Sequence, residues 1–197
     1  MIEPRRIEIG TPNYIVRSLD EVDEMGDWCE WMADPATARM LNAPAGRLSP
    51  DDFRRYVQGF DRINHHALGI FRRDDNRLVG LWSVYVDWSV SEFLLNVIIG
   101  DIPERKTHIR HETAWRVNRY FFEELGLKFQ RANTLSTNVP AIRALEERLW
   151  TLSARGKAPS RDGTGEVEIL HYTRSYDVWK SQSPMPEELL RPVARSG

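Results

Sequence analysis

Apolar residues recur along this chain at a spacing that switches between three-and-four and two, and each switch marks an element. Residues 1–12 carry neither period and read as a flexible N-terminal arm. Tyr14 to Arg17 alternates as a first strand. Val22, Met25, Trp28, Cys29 and Met32 then fall at helical spacing across Glu21–Asp34, with Pro35 as the stop. A second helix opens at SPDDF, where Ser49 suits the N-cap, Pro50 the first helical position and Asp52 the return bond of a capping box. Phe53, Tyr56, Val57 and Phe60 give that helix one apolar face.

From here the period is two. Ala67–Phe71 and Leu78–Trp88 read as strands joined by the turn-forming RDDN, and Phe93–Ile99 follows as a third. Glu112–Leu125 returns to helical spacing and is closed by Gly126. Phe129–Ser136 reads as a strand, and a helix with Asn138 near its start and Pro140 in its first turn runs to about Leu149. The glycine-rich stretch 156–165 reads as a loop, Glu166–Arg174 as the last strand, and 181–197 as a mobile tail.

The order is β-α-α-β-β-β-α-β-α-β without an internal repeat. Three adjacent strands suggest an antiparallel meander, and the later alternation suggests parallel neighbours joined by helical crossovers. The expected fold class is therefore α/β (α+β): a mixed, mostly antiparallel central sheet with a splayed parallel pair, flanked by helices, as one domain over residues 13–180. A ligand fits where strand direction changes.

The 197 residues suit one domain, and 41% hydrophobic with 28% charged residues is the balance of a globular protein. A net charge of −2 speaks against nucleic acid as the main partner, and no apolar run approaches the length of a membrane span. A cytoplasmic location is the default expectation. Cys29 is the single cysteine, so no internal disulfide forms, and its helical setting beside Trp28 and Trp31 favours a buried, inert thiol. The histidines suggest no metal: His65 and His66 point to opposite faces of a strand, and His108 and His111 lack a third strong ligand beyond nearby Glu112.

Charge becomes informative between residues 93 and 125. The strand Phe93–Ile99 breaks at Gly100 and Asp101 into a loop carrying Arg105, Lys106, His108, Arg110 and His111, and a helix then begins. First-turn N–H groups have no internal acceptors, and the helix dipole adds about half a positive charge there, so such a junction suits phosphates. A plain β-loop-helix crossover with a solvated charge run is the other reading.

The segments VIIGDIPERKTHIRHE, FFEELGL, NVPAIRALEERLW and the closing strand with YDVW stand in one order. Together they resemble the GNAT superfamily of acyl-CoA N-acyltransferases over residues 13–180, most of all the branch that acetylates ribosomal-protein N-termini. The resemblance implies acetyl-CoA as acyl donor and an amine acceptor, either a small molecule or a peptide N-terminus. It implies that Val97, Ile98 and Ile99 offer main-chain hydrogen bonds to pantetheine. It places the pyrophosphate on Arg105, Lys106, Thr107, His108, Ile109 and Arg110, and Asn138 toward the thioester; Asn138 is equally a good N-cap. No metal is implied, and exposed strands near the last helix leave room for a homodimer.

The sequence departs from the family pattern. Where the family loop has glycines, Lys106, His108 and Arg110 stand, and side chains there obstruct close backbone approach. Three outcomes are open: the basic side chains hold phosphate themselves, they fill the cradle and leave a non-catalytic binding module, or Arg105 and Arg110 pair with Glu104 and Glu112. Leu145 stands where many members carry a tyrosine that protonates the thiolate, and Leu149-Trp150 replaces a Gly-Phe turn. For direct attack, Glu92 is the first candidate base, sharing a strand face with Leu94 and with Asn96, which would orient water or acceptor. Asp87 is a lesser candidate base. Ser153 is placed to donate to the leaving thiolate, and Trp82 and Trp88 to line an acceptor pocket.

Overall fold

The computed structural model describes residues 2–182 apart from 26, 32, 41, 44, 45, 162 and 164, with the side chains of 36 and 40 also left aside. Eight strands form one sheet in the order β1-β2-β3-β4-β5-β6-β8-β7. They are β1 (Glu8–Gly10), β2 (Tyr14–Ser18), β3 (His65–Arg72), β4 (Leu78–Asp87), β5 (Glu92–Ile99), β6 (Phe129–Leu135), β7 (Thr151–Pro159) and β8 (Glu166–Ser175). The helices are α1 (Trp28–Trp31), α2 (Pro35–Met40), α3 (Pro50–Gln58), α4 (Ile109–Arg119), α5 (Val139–Glu146) and α6 (Tyr176–Ser181). Every pairing is antiparallel except β5 with β6, so the expected mixed sheet with one parallel pair is present.

Five local expectations are corrected. Within the segment read as a loose arm, Ile7 is 2% exposed and Glu8–Gly10 pair with β2. The helix expected over 21–34 shrinks to α1, because Asp23 accepts from the Asp20 amide (2.7 Å) and takes both terminal nitrogens of Arg17, a local bond set that competes with a helical start. Val22, whose spacing suggested the helix, is 91% exposed. Pro35 opens α2 rather than stopping a helix, with Asp34 Oδ2 accepting from the Thr37 amide. β7 occupies the stretch before the expected loop and the loop's first four residues, 156–159; the strand's residues are exposed or half-buried throughout, so no apolar alternation announces it. Because β7 intervenes, β8 returns antiparallel to β6 instead of parallel. The tail from residue 183 and Met32 lie outside the described residues.

Two cores flank the sheet. Phe93, Trp82 and Val84 pack under α4 and a π-helical turn at Tyr120–Glu124, with Phe93 stacked on Phe121 at 5.2 Å. On the other face Trp28, Trp31 and Phe53 from α1 and α3 cover Phe71, Leu78 and Leu81. The capping box of α3 forms as expected, with the Ser49 amide donating to Asp52 Oδ2 (2.7 Å) and the Asp52 amide to Ser49 Oγ (3.2 Å). Gly100 is required at the end of β5, since a Cβ there would lie 1.8 Å from the Trp31 ring. Among the described residues no helix is long and apolar enough to cross a membrane.

Candidate active site

β5 and β6 pair only at Glu92↔Phe129, Phe93↔Gln130 and Leu94↔Arg131. Beyond that point the strands diverge, and a cavity of about 300 Å³ opens between them, bounded by α4 and α5. Leu95, Asn96 and Val97 line it from β5, and Ala132, Asn133 and Thr134 from β6. Gly100 donates to Val79 on β4, so by alternation Ile98 points its main-chain groups toward β4 while Val97 and Ile99 point theirs into the gap. The Ile99 carbonyl is already taken by Arg105 Nε (2.7 Å). Val97 and the Ile99 amide therefore offer the open main-chain groups there, and of the two residues only Val97 lines the cavity.

The basic loop divides in two. Arg105 is turned inward to the protein, donating to the carbonyls of Ile99 and Gly100 and to Thr37 Oγ1 (3.0 Å), with Asp34 at 3.8 Å. Pro103–Lys106 form a 3-10 turn, and Glu104, 2% exposed, accepts from Tyr14 (2.6 Å) and Arg72 (3.4 Å). Thr107 Oγ1 donates to the Glu104 carbonyl and accepts from the Ile109 amide, and the Ile109 side chain is core. Lys106 and His108 are exposed and line no part of the cavity. Glu112 is held by the Asn13 amide and side chain (2.8 and 2.9 Å), so the suggested pairing of Arg110 with Glu112 is not formed.

His108 occupies the N-cap position of α4 without a side-chain bond to the helix, and the amides of Arg110 and His111 have no protein acceptor among the described residues. Both side chains line the cavity, joined by Arg148 and Trp150 after α5 and by Arg174 on β8. Arg148 donates to His111 Nδ1 (2.6 Å), which requires the neutral imidazole. Burial and then the neighbouring Arg148 and Arg110 push the His111 pKa down to about 4. Burial first and Arg148 second lower Arg110, and lower Arg174 to about 9. Among the described residues no aspartate or glutamate lines this cavity. Its cations and the open amides of Arg110 and His111 at the start of α4 give it the electrostatics that suit an anion.

Asn138 caps α5 by accepting from the Ala141 amide (3.3 Å) and also lines the cavity, so both readings of it are compatible. Leu145 lines it as well. Glu92 does not: it stands at the closed end, engaged by Arg131 in an ion pair. Ser153 sits in a bulge of β7 and donates to the His171 carbonyl (3.0 Å), outside the cavity lining. Asp87 holds Ser89 at an exposed turn. Of the two tryptophans considered for an acceptor pocket, Trp82 lines this cavity while donating to Thr113 Oγ1 (3.0 Å); Trp88 instead donates to the Ile63 carbonyl. Among the described residues no group of three metal-ligating side chains occurs. Arg148 and Arg174 escaped the sequence reading, and His111 entered it only as part of the basic loop and as a rejected metal ligand. For Arg174 the only signal was an arginine at a core-facing position of a strand, which periodicity flags and chemistry does not explain.

Residues 14–147 match the family described as the acetyltransferase (GNAT) domain, and the chain belongs to that family. It is thus an acyl-CoA-dependent N-acyltransferase of a family that uses acetyl-CoA as co-substrate and amines as acceptors. No curated protein matches it. Solved structures share the fold at low identity. A probable GNAT acetyltransferase from Chromobacterium violaceum aligns with a TM-score of 0.75 at 12% identity over 91% of each chain. The ribosomal-protein-S5-alanine acetyltransferase from Vibrio fischeri aligns at 0.71, with 10% identity over 88% of this chain and 98% of the other. The ribosomal L7/L12 alpha-N-protein acetyltransferase RimL aligns at 0.70, with 15% identity over 89% of this chain and 99% of the other.

Proposed function

We propose that the splay cavity holds the coenzyme A end of an acyl donor and that the chain transfers an acyl group, acetyl being the smallest, to a primary amine of a small molecule or a protein N-terminus. The observation that carries this reading is the acid-free cavity at the uncapped start of α4, with Arg110 and Arg148 on its wall. The pyrophosphate rests on the amides of Arg110 and His111 and on those two guanidiniums, in place of a glycine cradle. Val97 bonds the pantetheine amides through its main chain.

The amine nitrogen attacks the thioester carbonyl carbon, the C–S bond breaks, and coenzyme A leaves as a thiolate. A primary ammonium, with a pKa near 10, must lose its proton first. Cationic walls disfavour the ammonium form and favour the thiolate, so a hydroxyl donor in place of Leu145 is dispensable. Asn96 from β5 and Asn133 from β6 line the gap, Asn133 Oδ1 being engaged by His171 Nδ1 (2.9 Å), and Asn96 is placed to orient the acceptor or a water that carries the proton away. Glu92 acts as base only by giving up Arg131, so Glu92→Gln reports on it directly: unchanged turnover removes that role.

Thermal unfolding with acetyl-CoA, coenzyme A and dephospho-coenzyme A tests the donor site. Ligand at a hundred times its dissociation constant stabilises by about 2.7 kcal/mol, or roughly 5–10 °C for a domain of this size. The absence of any shift at millimolar ligand would overturn the reading in favour of a binding module that no longer takes the donor.

A further inference from the structure

Arg174 stands apart from the other cations of the cavity. It is 6% exposed, and its guanidinium donates through Nε to Gln130 Oε1 (2.8 Å) and through one terminal nitrogen to Gln182 Oε1 (3.2 Å). It lies 4.4 Å from the centroid of the Trp150 ring. All three partners are neutral. Among the described residues no carboxylate reaches it, whereas the partly buried Arg17, Arg62 and Arg72 each hold an acid; Arg116, also partly buried, has no ion pair among the described residues but lies over the Trp115 ring, away from the cavity. A desolvated cation without a counter-ion is an expensive arrangement unless a ligand supplies the charge. The second terminal nitrogen of its fork has no acceptor among the described residues.

Its place along the cavity says which part of a ligand it meets. Gln130, the partner of its Nε, belongs to the closed end of the splay, paired with Phe93 and bonded to Asn118 of α4 (2.7 Å). At 1.5 Å per helical residue, Asn118 lies about 12 Å along α4 from Arg110. A donor whose phosphates rest at the start of α4 therefore brings its thioester, and not its phosphates, to the level of Arg174.

We propose that the acyl-donor site is built for an acyl group that itself ends in a carboxylate, of the succinyl or malonyl class, and that Arg174 receives that carboxylate with the free edge of its fork. This rests on the reading of the cavity as a coenzyme A thioester site and specifies the acyl group it prefers. The chemistry is unchanged: the amine nitrogen bonds to the thioester carbon, the C–S bond breaks, and the distal carboxylate is carried over intact. Trp150 screens the pair from water and holds the guanidinium plane.

Calorimetric titration of the full chain with coenzyme A, acetyl-CoA and succinyl-CoA tests this, in the wild type and in Arg174→Gln. The expected result is succinyl-CoA binding on the order of tenfold more tightly than acetyl-CoA, the scale of one charge-assisted bond in a desolvated site. That preference should vanish in Arg174→Gln while coenzyme A itself binds as before. Arg174→Lys, which keeps the charge and loses the fork, should retain part of it, and the wild-type comparison stands even if a variant does not fold. Equal affinity for the two thioesters in the wild type overturns the proposal, as does a loss of coenzyme A affinity in Arg174→Gln as large as the loss for succinyl-CoA. If none of the three ligands binds, the donor-site reading fails and this proposal with it. If coenzyme A binds and the thioesters are indistinguishable, only this proposal fails.

Discussion

Two neighbouring stretches, the loop Asp101–Thr107 and the start of α4 with the cavity wall beyond it, carry similar basic residues and treat them oppositely. In the loop each charge the structure draws inward has a protein partner: Arg105 caps the end of β5 and reaches α2, and Glu104 collects Tyr14 and Arg72. At the cavity Arg110, Arg148 and Arg174 face one space with no acid among its lining residues. A basic residue speaks for a ligand when its protein partners are missing, and density of positive charge along the sequence does not report that.

The contrast can be broken from the loop side with the largest effect. Glu104→Ala leaves the Tyr14 hydroxyl and Arg72 without their buried acceptor and should destabilise by about 3 kcal/mol, seen as a Tm lower by roughly 6–12 °C. Coenzyme A affinity, extrapolated to folded protein, should survive. From the cavity side, Arg110→Gln should weaken coenzyme A on the order of tenfold by calorimetry, one charge-assisted bond, with Tm of the ligand-free protein unaltered. A ligand-independent loss of stability instead would show Arg110 to be structural. Arg105→Gln sharpens the same contrast in reverse: about 1 kcal/mol of stability, read by urea unfolding, and an undiminished affinity for coenzyme A.

The smallest effect is a pH dependence. Burial lowers His66 and His111 below the ordinary histidine range, His111 to about 4. The unfolded chain then binds their protons first, so stability is full above about pH 6.5 and falls as pH drops from there toward 4. His111→Asn should flatten part of that slope in a series of melts between pH 7.5 and 4.5, and an unchanged slope would assign it to His66.

The sheet from β2 to β6 was legible because one or both faces of each strand are buried, which imposes the period on the sequence. β7 was not, since TLSARGKAP faces solvent along its length and burial left no mark on its composition. At the site, the change of strand direction announced the splay and the break at Gly100 and Asp101 announced the helix start; Arg110, named from that loop, Asn96, named from strand alternation, and Val97 and Asn138, named from the family resemblance, all line the cavity. Arg105 was assigned to phosphate because a sequence shows its charge and hides the carbonyls it serves. Glu92 fell on the expected face, but Arg131, thirty-nine positions away in the chain, meets it only through the parallel pairing of β5 and β6. Arg148 and Arg174 meet His111 only because the end of α5, β8 and the start of α4 converge on one cavity, and no local pattern encodes such a meeting.

The missed strand has a consequence of its own. β7 ends the eight-strand order, so one of its sides presents unpaired main-chain groups that another copy of the chain could extend into a continuous intermolecular sheet. Its composition resists that. The bulge at Ser153 breaks the spacing of the ladder, Arg155 and Lys157 pair across to Glu168 and Glu166 (3.2 Å each) and line the rim with charge, and Pro159 closes it without an N–H. The feature that made β7 invisible to a search for apolar period is thus what guards the molecule against growing, edge to edge, into aggregates.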